Sequence, residues 1–253
     1  MKILKVGNIT LQDRKLRVCV PIAYKTEGEI ISEAKLIEQS KDADLAEWRI
    51  DWYEEVSDRE KRAKLALKIR EILNGKPLII TLRTAQEGGE YTCSEDEYKK
   101  LITECIEDKL SEIIDIEANR GIECAKSLVN LAHKNKIKVI ASKHNFNETP
   151  SREDIVKEFE EMLVCDADIY KNAVMPNSYV DVENLLEATA LMKKKHPNTF
   201  LISMSMGEMG RISRVCGGLY GSIMSFGTIG KPSAPGQMDV KQLKRMIKNI
   251  ENV

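Results

Sequence analysis

The stretch Ala167-Asp168-Ile169-Tyr170-Lys171-Asn172-Ala173-Val174-Met175-Pro176 reads as a buried strand carrying one lysine, and its surroundings decide the fold. Ile, Tyr, Ala and Val supply the strand character, and Pro176 ends it. Just beyond, Ser178 with Asp181 three residues later is a helix-start signal, and Thr199 to Met206 reads as the next strand. Strand, helix, strand in that order is a crossover unit, which joins parallel strands.

Outward from this unit the same pattern recurs. Strand-like runs occur at Leu16 to Ala23, Asp44 to Asp51, Pro77 to Thr84, Glu112 to Ala118, Lys138 to His144 and Ser222 to Ile229, making eight with the two above. Amphipathic stretches lie between them, with further start signals at Ser94 with Glu97 and Ser151 with Asp154. Eight repeats in 253 residues predict an α/β fold, a closed (β/α)8 TIM barrel formed by residues 1–253 as a single domain. An open doubly wound sheet would carry a glycine-rich phosphate turn after its first strand, and Tyr24-Lys25-Thr26-Glu27-Gly28-Glu29 contains none. Ahead of the barrel, Ile3 to Val6, Gly7-Asn8 and Ile9 to Leu11 read as a hairpin capping the barrel bottom.

Composition narrows the function. The net charge is −1 with both signs interspersed, which leaves no electrostatic footprint for nucleic acid or an anionic membrane. A small molecule is the expected partner. The six cysteines form no CxxC pair and read as reduced thiols, and no signal or membrane-spanning stretch stands out, so a cytoplasmic location is expected.

Lys171 needs explaining, because a strand lysine is more often an edge residue whose ammonium reaches water. The chemical alternative is an amine, partly desolvated near other cations, that becomes a nucleophile toward carbonyls. Barrel enzymes gather their chemistry at the carboxyl ends of the strands. There the sequence places Glu47 and Arg49, Arg83 running into Glu87-Gly88-Gly89-Glu90, Asp115 and Glu117, His144, Lys171, and Met204 with Met206. Arg214 follows the seventh strand, and a Gly- and Pro-rich loop bearing Ser233, Ala234 and Gln237 follows the eighth. Any one inward charge is readily a structural ion pair; their convergence on one end is harder to explain that way. Of three histidines, His133 and His196 fall at polar helix ends, so His144 is the natural general acid and base, with Glu87 placed to orient it. A Gly-Gly pair is usually a turn, and the last loop has the composition of a lid or of a plain surface loop.

These segments, taken in order, resemble the type I 3-dehydroquinate dehydratase family. The resemblance rests on Glu47-Trp48-Arg49-Ile50-Asp51, Thr81-Leu82-Arg83-Thr84, Asp115-Ile116-Glu117, Ser142-Lys143-His144-Asn145-Phe146, Lys171 before Ala173-Val174-Met175-Pro176, Ile212-Ser213-Arg214 and Ser233-Ala234-Pro235-Gly236-Gln237, and it covers essentially the whole chain. It implies a hydro-lyase of the shikimate pathway in which Lys171 forms a Schiff base with 3-dehydroquinate, His144 is the acid–base and Glu87 holds it. It further implies that Arg214, Ser233 and Gln237 take the substrate carboxylate, that Ala234 contacts the substrate, that Glu47, Arg49 and Arg83 take ring hydroxyls, and that Met204, Met206 and Phe226 wall the ring. No cofactor or metal and a homodimer are implied as well. Two positions depart from the family pattern: Lys143 stands where it has Asn, His or Tyr, and Asn172 where it has an aliphatic residue. Strand alternation predicts that both point away from the site, toward the helices. Another lysine Schiff-base barrel such as an aldolase, or a barrel that has lost catalysis and only binds, remains an alternative at this point.

Overall fold

The computed structural model describes residues 2–251. The chain opens with an antiparallel hairpin, β1 (Ile3–Val6) and β2 (Ile9–Gln12). Eight parallel strands follow: β3 (Arg17–Ile22), β4 (Leu45–Arg49), β5 (Leu78–Thr81), β6 (Ile113–Glu117), β7 (Lys138–Asn145), β8 (Ile169–Val174), β9 (Phe200–Ser205) and β10 (Met224–Thr228). They pair in sequence order from β3 to β9, and β10 pairs back onto β3. The ring closes between β9 and β10 through a bridge from Leu201 to Ser222, where the Ile223 amide donates to the Leu201 carbonyl at 2.9 Å. The helices α1 (Glu27–Gln39), α2 (Arg59–Ile72), α3 (Glu95–Glu107), α4 (Ile122–Lys134), α5 (Arg152–Leu163), α6 (Tyr179–Lys195), α7 (Arg211–Tyr220) and α8 (Val240–Glu251) alternate with them, giving the (β/α)8 barrel.

Local chemistry sets the helix starts. Ser94, Ser151 and Ser178 each accept from the backbone amide three residues on, as their spacing predicts. Thr26 and Glu29 form a reciprocal capping box at α1, inside the segment that lacks a phosphate turn. The ladders are shorter than the apolar runs. After β4, β5 and β6 the chain tightens into single helical turns at Ile50–Trp52, Ala85–Glu87 and Ala118–Arg120, because an apolar run signals burial and not pairing. One strand escaped prediction, the two-residue β11 (Met238–Asp239) beside β10, too short to carry a pattern.

Two apolar clusters result. The outward faces of the strands and the inward faces of the helices form the larger one, including Trp48, Tyr98 and Phe159. The smaller one fills the barrel bottom with Cys19, Leu45, Ile79, Ile113, Ile140 and Ile169, and Leu4, Val6 and Leu11 of the hairpin close it from below. At about 25 cal/mol per Å² this sealing favours a barrel open only at the other end. No helix among the described residues is long and apolar enough to cross a membrane.

Candidate active site

Side chains two apart on a strand share a face, so the barrel interior is built in layers. Two residues above the apolar floor come Glu47, Thr81, Asp115, Ser142 and Lys171; two further come Arg49, Arg83, Glu117, His144 and Ala173. In register, Ser142 of β7 lies beside Lys171 of β8, and His144 beside Ala173. The upper layers open into a cavity. Its walls contain Glu47, Arg49, Arg83, Glu87, His144, Lys171, Met204, Met206, Arg214, Phe226, Ser233, Ala234 and Gln237, so every residue to which the resemblance gives a role lines it, while Asp115 and Glu117 lie behind the wall.

Lys171 is not an edge residue; it is 4 % exposed, with its ammonium inside the barrel. The amine lies 3.8 Å from Glu47 Oε1, 3.7 Å from Asp115 Oδ2 and 4.4 Å from the centre of the Phe226 ring. Its nearest charged partners are therefore carboxylates, not the arginines that convergence at the mouth brings to mind. Asp115 Oδ2 makes no hydrogen bond among the described residues, while Oδ1 accepts from Ser142 Oγ at 2.6 Å and Arg83 Nη2 at 2.7 Å. Burial opposes ionisation of Asp115, yet Arg83 and Lys171 outweigh it and hold the carboxyl below its ordinary range.

Arg83 is the hub of the upper layers. Besides Asp115, its Nη1 donates to Glu117 at 3.1 Å, Glu87 at 3.2 Å and Ser142 at 3.0 Å. Arg49 forms a two-pronged pair with Asp51, at 2.8 and 2.7 Å. Both guanidinium groups thus line the cavity while serving the barrel's own carboxylates, which fixes their positions before anything binds.

His144 Nδ1 lies 2.9 Å from Glu87 Oε2, leaving Nε2 as the nitrogen available to the cavity. Burial, then the charges of Arg83, Lys171 and Arg49, holds the imidazole well below its ordinary pKa. Burial drives Glu87 upward to about 8 against the pull of Arg83, with Glu117 and Asp115 adding to the rise. The pair thus shares one labile proton at neutral pH, which departs near pH 8. His133 and His196 pair instead with Asp168 and Glu160 outside the barrel, at 2.9 and 3.3 Å.

Arg214, at the start of α7, is 1 % exposed and has no carboxylate partner among the described residues. Nη2 donates to the Pro235 carbonyl at 3.0 Å, Nη1 makes only long contacts to Met204 Sδ and the Phe226 carbonyl at 3.4 and 3.5 Å, and Nε has no partner. Burial alone draws its pKa down to about 10, the signature of a cation without its anion. The closing loop lies over it, Ser233 and Gln237 bonded to each other through the Ser233 amide to Gln237 Oε1 at 2.8 Å.

Gly88, Phe146 and Ala173 also line the cavity, although no site role was read from them. The Gly88 signal was present in the Gly-Gly pair. Its φ of 77° is left-handed, and a Cβ there would stand 2.3 Å from the Phe146 ring, so glycine is what lets Phe146 approach.

Lys143 and Asn172 face the helices. Lys143 Nζ pairs with Glu158 Oε1 of α5 at 2.6 Å, and Asn172 Nδ2 donates to Oε2 of the same carboxylate at 2.8 Å. One glutamate thus brackets β7 and β8 from outside, beside the residues that project into the cavity. Asn172 is 1 % exposed, so Glu158→Leu strands a buried amide and is expected to lower stability by about 1–3 kcal/mol. Urea unfolding reads this as a lower midpoint at unchanged slope. An unmoved midpoint would mean that Asn172 does not depend on Glu158.

A barrel with a buried lysine, a carboxylate-held histidine and an unpaired arginine around one cavity defines a barrel enzyme acting on a small anionic molecule. A family model described as type I 3-dehydroquinase matches residues 18–252. The chain belongs to the type I 3-dehydroquinase family and is an enzyme of that class. It is 40 % identical over 253 residues to a 3-dehydroquinate dehydratase of Clostridium botulinum, covering 100 % of this chain and 99 % of that one. A catabolic 3-dehydroquinate dehydratase of Acinetobacter baylyi is 39 % identical over 97 % of this chain and 90 % of its own. Among solved structures, type I 3-dehydroquinate dehydratase from Clostridium difficile, with covalently modified comenic acid, superposes with a TM-score of 0.94 at 39 % identity, covering 99 % of this chain and 98 % of that one.

Proposed function

We propose that the chain dehydrates 3-dehydroquinate to 3-dehydroshikimate through an imine on Lys171, with His144 as general acid and base. The carrying observation is that one cavity holds a buried amine, a histidine tied to a carboxylate and a buried guanidinium without an anion. Arg214, with Ser233, Ala234 and Gln237 of the closing loop, takes the substrate carboxylate. Glu47, Arg49 and Arg83 present polar groups to the ring hydroxyls, and Met204, Met206 and Phe226 pack on the ring.

The unprotonated Lys171 amine adds to the ring ketone, and the carbinolamine loses water to give the imine. His144 then removes a proton from the carbon beside it, and the electron pair is held as an enamine. As that pair returns, the C–O bond of the β-hydroxyl breaks and His144 returns its proton to the departing oxygen, releasing water. Hydrolysis of the conjugated imine frees the product and the amine. Glu87 keeps Nδ1 engaged, so that Nε2 is the atom that moves the proton.

The aldolase reading lacks a comparable reason for an anion site at Arg214, and the loss-of-catalysis reading rested on Lys143 and Asn172, both of which bond Glu158 outside the barrel. The family resemblance extends the proposal to the shikimate pathway, a cytoplasmic setting and a homodimer. Borohydride added with 3-dehydroquinate is expected to leave a stable adduct, and peptide mass spectrometry should locate it on Lys171. A fully active sample with no adduct on Lys171 would sink the Schiff-base step.

A further inference from the structure

Glu87 uses its two oxygens differently. Oε2 receives His144 Nδ1 at 2.9 Å and Arg83 Nη1 at 3.2 Å. Oε1 receives a single bond, from Asn119 Nδ2 at 2.8 Å. Asn119 sits in the turn Ala118–Arg120 that follows β6, between buried Glu117 and Arg120, and is itself exposed. It is absent from the substrate cavity. Instead it lines a separate groove on the outside of the barrel with Ile122, Lys143, Glu158 and Met162. Its amide therefore reaches Glu87 from the side opposite the substrate.

We propose that Asn119 is a positioning residue for the acid–base pair: its amide favours the ionised form of Glu87 and turns that carboxylate to accept from His144 Nδ1, which leaves Nε2 free as the base. This rests on the reading of His144 as acid–base. The chemistry is that of a donor with no acceptor role toward Glu87. An amide N–H stabilises a carboxylate by hydrogen bonding and does less for the protonated acid. The groups facing Glu87 are Arg83 from the end of β5, Asp115 and Glu117 from β6, Asn119 from the following turn and His144 from β7; Lys171 and Arg49 act on it through His144. Asp115 and Glu117 repel its charge, and Arg83 divides itself among three carboxylates. Asn119 is the one uncharged donor on Oε1, and its loss has no substitute there among the described residues. Without it Glu87 keeps its proton to higher pH, its protonated oxygen donates to Nδ1, and Nε2 carries the hydrogen, which makes it unable to accept one from the substrate.

The test compares Asn119→Leu and Asn119→Asp with the parent chain using 3-dehydroquinate. The acid limb of the kcat profile is expected to move up by about one pH unit in Asn119→Leu, and further in Asn119→Asp, where a second carboxylate faces Glu87. At pH 7 that amounts to about a tenfold lower kcat with little change in KM, because Asn119 does not touch the cavity. In the ligand-free protein labelled with ¹⁵N-histidine, the His144 resonances should shift toward the Nε2–H tautomer at a pH where the parent shows Nδ1–H. A limb that stays in place, whether kcat is unchanged or falls equally at all pH, overturns the assignment. If His144→Ala turns over at the parent rate, the parent reading fails; if that variant is slow while the Asn119 limb is unmoved, only the Asn119 role falls.

Discussion

Replacing Lys171 with methionine is expected to leave a folded barrel that dehydrates 3-dehydroquinate on the order of 10⁴- to 10⁶-fold more slowly and gives no borohydride adduct. Methionine keeps most of the stem that packs against Phe226, so the cavity retains its shape. What disappears is the nucleophile, and among the described residues no second lysine lines the cavity to replace it. The stability of this variant carries separate information. Without the ammonium, Glu47 and Asp115 lose a counter-charge at 3.8 and 3.7 Å, but Arg83 and Ser142 still hold Asp115. The expected loss is therefore below the ~3–5 kcal/mol typical of breaking a buried pair. Its pH dependence has a definite sign. Asp115 is held below its ordinary pKa, first against burial by Arg83 and then by Lys171. Such a group contributes stability above its unfolded pKa, and that contribution is lost as pH falls through the folded value. Removing Lys171 raises the folded value, so acid unfolding should begin at a higher pH in the variant. Circular dichroism along an acid titration reads this directly. Parent-like turnover in Lys171→Met would end the covalent proposal, and an unmoved acid transition would mean that Lys171 does little to hold Asp115 charged.

The barrel was legible because its signal is repetitive: apolar strand runs recur with amphipathic helices between them, several of them opened by a capping residue. The site was legible for a related reason. Period two along a strand says which residues face inward, and barrel geometry says that strand ends share a mouth. Alternation also placed Lys143 and Asn172 toward the helices. It does not say what they meet there, and Glu158, lying in an ordinary amphipathic helix, carries no pattern that marks it as the partner of both. The same limit applies to Arg83. Its position was visible, but its engagement with Asp115, Glu117 and Glu87 depends on strand stagger and on the tight turn Ala85–Glu87, neither of which leaves a periodic trace. Asn119 was the least visible residue. An exposed asparagine in a turn looks like turn chemistry, and only the folded chain brings its amide to the carboxylate behind His144.

His144→Ala is expected to separate the two halves of the reaction. The amine of Lys171 remains, so the adduct should still form on borohydride treatment, whereas dehydration should slow by about 10²- to 10⁴-fold. The adduct trapped early in the variant should be heavier than that of the parent by one water, because the β-hydroxyl has not yet left. The substitution is tolerable for the fold. Glu87 loses the bond on Oε2 from His144 but keeps Arg83 on that oxygen and Asn119 on the other. The pH profile adds a second readout. In the parent, the proton shared by Glu87 and His144 departs near pH 8, so turnover should rise with pH up to that point as Nε2 becomes free to act as base. With the imidazole gone, Glu87 still titrates, but it no longer controls a base in contact with the substrate, and the residual rate should lose that limb. If the variant keeps the limb and a near-parent rate, another group moves the proton. If it traps no adduct at all while remaining folded, His144 is needed already for imine formation.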